Sequence, residues 1–81
     1  MSKTLYLYTT AGCHLCDMAL AIVHALSEQM GITLELVEIS EQEALVEKYG
    51  VRIPVIRSED KEVDLSWPFD VQQAEAYLSN S

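Results

Sequence analysis

A four-stranded mixed sheet with helices on both faces, in the order β-α-β-α-β-β-α, is the fold class this α/β sequence predicts. Three features predict it. Two short β-favouring runs flank a long stretch of helical periodicity, which implies a parallel βαβ unit with a right-handed crossover. Two strand-like runs separated by a polar turn follow, which implies an antiparallel hairpin. The chain then closes on a capped helical segment. At 81 residues it is expected to form a single domain over residues 1–81, with no internal repeat or linker.

The first strand is Thr4 to Thr9, where Leu and Tyr alternate among β-favouring residues. Gly12 breaks it. From Cys13 to Met30, Leu15, Met18, Ala19, Ile22, Leu26 and Met30 recur at steps of three and four and trace one helical face. Asp17, His24 and Glu28 fall on the other side. Gly31 suits the left-handed position that ends a helix. Thr33 to Ile39 is the second strand. Ser40 and Glu43 have the spacing of a capping box. A short helix through Ala44, Leu45 and Lys48 should stop at Gly50. Val51 to Ile56 starts the third strand, with Pro54 at its entrance because proline cannot donate into a ladder. Ser58 to Lys61 is the turn, and Glu62 to Leu65 returns as the fourth strand. Asp70 and Gln73 form a second capping box, with Phe69 placed to staple onto Ala74. Val71, Ala74 and Leu78 give the last helix its apolar side, and Asn80 and Ser81 are expected to fray.

Hydrophobic residues make up 49% of the chain, enough for a core and too many for a disordered segment. The net charge of −8 would repel phosphates, which argues against nucleic acid and anionic membrane as partners. No apolar run is long enough to span a bilayer. Ala11-Gly12-Cys13 has the look of a lipoprotein processing site, but the stretch before it is short, rich in Tyr and Thr, and reads as a strand. The expected location is cytoplasmic and the expected state monomeric. A reducing cytosol disfavours a permanent disulfide, so close cysteines there point to redox or metal chemistry.

Both cysteines lie in Thr9-Thr10-Ala11-Gly12-Cys13-His14-Leu15-Cys16, at a strand-to-helix junction. Residues i and i+3 share a helix face, so the two sulfurs are within bonding reach. Cys13 would stand at the helix N-terminus, where unpaired N–H groups and the helix dipole favour a thiolate. The thiolate is the nucleophile of disulfide exchange. Cys13 is therefore the candidate nucleophile, and Cys16, one turn in, the less exposed resolving thiol. As a staple the pair would do little: closing so short a loop gives about 2 kcal/mol in the chain-entropy model. Two alternatives stay open. One is a zinc or iron–sulfur module, which needs ligands beyond these two cysteines. The other is a partner-binding domain without turnover. No metal ligand set is assigned.

Four further positions belong to the candidate site. His14 adjoins the nucleophile and, when protonated, would favour the thiolate. Ile53, before Pro54, would offer backbone N–H and C=O groups to a substrate strand. Trp67, in Trp67-Pro68-Phe69, could wall a substrate groove or fill the core. Backbone amides near Asp70 could receive an anion. His24, Tyr6, Tyr8 and Tyr49 read as surface or packing residues.

Tyr8 to Cys16 together with Val51-Arg52-Ile53-Pro54-Val55 resembles the thioredoxin fold and, in its compact size, the glutaredoxins. The Trp-Pro-Phe stretch makes the chain most similar to small bacterial glutaredoxin-like proteins. The resemblance covers nearly the whole chain in element order. It implies a thioredoxin-like fold of glutaredoxin size, with Cys13 as nucleophile, Cys16 as resolver and Pro54 as a cis-proline lining the site. It implies a thiol–disulfide oxidoreductase acting on a disulfide-containing protein or on glutathione. A reductase or thiol donor would restore the dithiol, with no tightly bound cofactor and glutathione at most a co-substrate. The chain departs from glutaredoxins at three places. His14-Leu15 stands for the usual Pro-Tyr, Thr10 for a lysine that meets a glutathione carboxylate, and Ser66-Trp67 or Trp67-Pro68 for a Gly-Gly pair before the last helix.

Overall fold

The computed structural model describes residues 3–79. The frayed end expected at Asn80 and Ser81 lies outside them. Strand β1 (Thr4–Thr9) leads into helix α1 (His14–Met30), then strand β2 (Thr33–Glu38). A 3-10 turn (Ile39–Glu41) precedes helix α2 (Glu43–Tyr49). Strands β3 (Val55–Ser58) and β4 (Leu65–Ser66) and helix α3 (Val71–Ser79) complete the chain. The sheet order is β2-β1-β3-β4. β1 runs parallel to β2 and antiparallel to β3, and β3 runs antiparallel to β4. The βαβ unit and the hairpin are both present.

Alternation along β1 divides the core in two. Leu5 and Leu7 point to one face and join Ala19, Val23 and Leu26 of α1, Ile56 of β3, and Phe69, Ala74 and Leu78. Tyr8 points to the other and joins Ile39, Tyr49 and Val55, with Leu45 of α2 packed against them. Tyr8 and Tyr49 stack with ring centroids 4.2 Å apart. The sheet is thus covered on both faces, α1 and α3 on one and α2 on the other.

Local signals place most element ends. Gly31 takes the left-handed conformation (φ 68°, ψ 33°), and its N–H donates to the Ser27 carbonyl. Gly50 ends α2 in right-handed geometry, where an added Cβ would collide with the Val46 carbonyl oxygen. At α3, Gln73 N–H donates to Asp70 Oδ1 at 2.8 Å and Asp70 N–H donates to Gln73 Oε1 at 3.0 Å. That is the expected capping box, and Phe69 and Ala74 share the core beside it.

Five expectations need correction. The buried side of α1 is Cys16, Ala19, Val23, Leu26 and Ser27. Leu15, Met18 and Met30 are exposed at 44%, 48% and 37%. Residues 15–26 are apolar nearly all round the helix, so spacing alone allows both stripes. The Ser40 capping box does not form. Glu38 accepts the Ser40 N–H instead, the chain stays in the 3-10 turn, and α2 starts after Gln42 without a side-chain cap. The third strand begins at Val55 rather than Val51, because Arg52 and Ile53 N–H both donate to the Tyr49 carbonyl, at 2.8 and 2.9 Å. The fourth strand is only Leu65–Ser66; Glu62 to Asp64 precede it outside the ladder, with Asp64 paired to Arg52. Val71 of α3 is also half exposed.

Candidate redox site

The loop between β1 and α1 is a turn. Cys13 N–H donates to the Thr10 carbonyl at 3.3 Å, and Gly12 has φ +79°. A side chain rarely adopts that conformation, so glycine at this turn position is a backbone requirement. The turn delivers Cys13 as the N-cap of α1, with extended backbone (φ −87°, ψ 104°). Its Sγ accepts the Cys16 N–H at 3.1 Å, satisfying one of the donors a helix start leaves unpaired. The position that favours a thiolate by electrostatics is therefore also a hydrogen-bonded one.

Cys13 and Cys16 are joined as a disulfide, with Cα atoms 5.2 Å apart. The two are not equivalent. Cys13 is partly exposed, whereas Cys16 is 3% exposed and turned towards the core. His14 is exposed on the first helical turn.

Strand register brings the proline loop to the same end. The last β1–β3 pair is Tyr8 with Val55. One residue further on each strand sets Thr9 against Pro54, beside the turn that carries Cys13. The Ile53-Pro54 bond is cis, and so is Trp67-Pro68, which sequence did not suggest. Trp67 N–H donates to the Pro54 carbonyl at 2.9 Å. Its ring is half-buried and meets Phe69 edge-on at 5.1 Å. Cys13, Cys16, His14, Ile53, Pro54 and Trp67 thus share one end of the sheet.

Two assignments change. The Ile53 N–H, expected to be free for a substrate strand, donates to Tyr49, which leaves the carbonyl as the group to offer. Near Asp70, the amides of Asp70 and Gln73 are taken by the capping box, so two of the donors expected to meet an anion are occupied. Arg52, which sequence reading passed over, pairs with Asp64 and lies over the Tyr49 ring at 5.6 Å, bracing the segment before Ile53. Glu38 was also passed over. Its carboxylate accepts the Ala11 N–H at 3.0 Å from the end of the neighbouring strand. The hydrogen bond from the Thr10 side chain, then that from Ser40, holds it below the ordinary carboxylate range. Among the described residues no three His, Cys, Asp or Glu side chains gather to hold a metal. No helix among them is long and apolar enough to cross a membrane.

Residues 4–79 match the family model described as Glutaredoxin-like domain (DUF836). The chain belongs to this glutaredoxin-like family. Solved structures agree. The structural-genomics target protein XcR50 from X. campestris is 38% identical over 95% of this chain and 97% of its own, with a TM-score of 0.78. Protein Ne2328 from Nitrosomonas europaea is 28% identical over 95% and 92%, with a TM-score of 0.79. Thioredoxin 1 from Thermosipho africanus is 15% identical over 94% and 90%, with a TM-score of 0.73, a likeness that shows the thioredoxin-like fold alone. No protein of curated function matches the chain. A glutaredoxin-like domain with bonded cysteines at the first turn of α1 carries a site of redox type.

Proposed function

We propose that the protein is a dithiol thiol–disulfide oxidoreductase. The Cys13 thiolate attacks one sulfur of a substrate disulfide, forms a mixed disulfide and expels the first substrate thiolate. The Cys16 thiol, losing its proton to solvent, then attacks Cys13 Sγ. The Cys13–Cys16 bond forms, the second substrate thiolate leaves, and two electrons have passed to the substrate. A reductase or a thiol such as glutathione then supplies two electrons and restores the dithiol.

The observation that carries this reading is the asymmetric pair at the helix N-terminus: an accessible N-cap sulfur bonded to a buried one. The surroundings support a polypeptide disulfide as substrate. Leu15 is half exposed and Val51, just before Arg52-Ile53-Pro54, fully so, which offers apolar contact on the first turn of α1 and on the proline loop. The Ile53 carbonyl can accept one hydrogen bond from an extended chain, His14 can contact it from the helix side, and Trp67 walls the groove. Asp70 contributes as the cap that sets the start of α3. Thr10, whose side chain acts on Glu38, stands where glutaredoxins carry a lysine for a glutathione carboxylate. Glutathione is accordingly assigned to the resupply of electrons. A cytoplasmic setting suits a dithiol that must be kept reduced. A zinc site would need donors beyond these two cysteines.

Equilibration in thiol–disulfide buffers of graded poise tests the proposal. A working oxidoreductase should show a reversible two-electron midpoint between about −270 and −120 mV, the span of characterised dithiol enzymes. A bond that resists reduction to below about −300 mV would be structural, and the enzymatic reading would fall.

A further inference from the structure

We propose that Glu38 is a positioning residue for the nucleophile: its carboxylate clamps the turn that carries Cys13. The inference rests on the oxidoreductase reading above and goes beyond it. A turn closed by Cys13 N–H on the Thr10 carbonyl leaves the N–H of its second residue without a partner inside the turn. That residue is Ala11, and Glu38 Oε1 accepts its N–H at 3.0 Å. The Thr10 side chain acts on the same carboxylate and favours its ionised form. Oε2 accepts the Ser40 N–H at 3.2 Å, so the clamp is tied to the chain after β2. Two backbone donors, one of them in the turn itself, converge on one side chain.

Its position explains why β2 can do this. Glu38 is the Cα partner of Thr9, the last residue of β1, in the parallel ladder. A side chain there reaches across to the residues immediately following β1. Carboxylates accept several hydrogen bonds at once, and bonds to an ionised acceptor are stronger than neutral ones. The turn in its held form places Cys13 as N-cap with its Sγ on the Cys16 N–H. A loosened turn would let the sulfur leave that donor and the helix terminus, and the thiolate would lose both.

The test is Glu38→Gln. The amide has one oxygen to accept with and a donor where the second oxygen was, so the Ala11 and Ser40 N–H groups can no longer each have an oxygen of their own, and the clamp is weakened at one end. The apparent pKa of Cys13 should rise. Exchange with a small disulfide at pH 7 should slow on the order of tenfold, as small misplacements of reacting groups do. The sign is decisive, because removing a negative charge without disturbing the turn would lower the Cys13 pKa instead. Thr10→Val keeps the carboxylate and removes one donor; it should fall between wild type and Glu38→Gln, and it serves if that variant does not fold. A Cys13 pKa that is unchanged or lowered in both variants overturns the proposal. Wild-type protein run alongside separates the two claims: wild type that fails to exchange sinks the oxidoreductase reading, while active wild type matched by both variants sinks only the role of Glu38.

Discussion

Cys13→Ser is expected to abolish disulfide turnover, while Cys16→Ser should turn the protein into a trap that holds its substrate. The first change removes the sulfur that attacks. A serine hydroxyl at the N-cap still accepts the Cys16 N–H, so helix α1 should be preserved and the loss is one of chemistry. The second change leaves the accessible sulfur in place and removes the group that resolves the mixed disulfide. With no thiol added, nothing then releases the substrate held on the partly exposed Cys13. Non-reducing electrophoresis after mixing with a disulfide-bearing polypeptide should show a covalent adduct for Cys16→Ser and none for Cys13→Ser. Adducts formed by Cys13→Ser would reverse the roles assigned to the two sulfurs.

The other large effect falls on stability. Leu7 is 1% exposed, lies in β1 between Leu36 and Ile56, and faces the helices α1 and α3. Leu7→Ala should destabilise the fold by about 2–5 kcal/mol, from lost transfer energy and the cavity left between layers. For a domain of this size that is a large part of a total on the order of 5–10 kcal/mol. Leu36 makes the control. It is the same residue type on the same side of the sheet, but it sits on edge strand β2 and is 52% exposed. Leu36→Ala should cost less than about 1 kcal/mol. Urea unfolding should show the midpoint falling steeply for Leu7→Ala with little change in slope. Equal shifts for the two variants would contradict the two-layer core.

What could be read from sequence was what is decided within a few residues. The Cys13 N-cap, the Gly31 stop and the Asp70–Gln73 box are short-range bonds, and each forms where the residue types put it. The parallel β1–β2 pair followed from the length of the helix between them. The failures come from competing local bonds and from contacts that only the fold creates. Helix α1 is apolar on nearly every side, so its inward stripe depends on how the Cys13 cap turns Cys16. The expected Ser40 cap lost to Glu38, which takes the Ser40 N–H first. Ile53 looked available because nothing local shows that α2 would run on to use its N–H. Glu38 and Ala11 are 27 residues apart, and only the strand register brings them together.

Turnover by this site requires that Cys13, as N-cap of α1, be ionised near neutral pH and open to attack a disulfide. Alkylation of the reduced protein across a range of pH, with the modified sulfur identified by mass, tests it most directly. Cys13 should react first, with an apparent pKa below the value of about 8.5 for a free cysteine. A pKa at or above that value, or faster modification of Cys16, would contradict it.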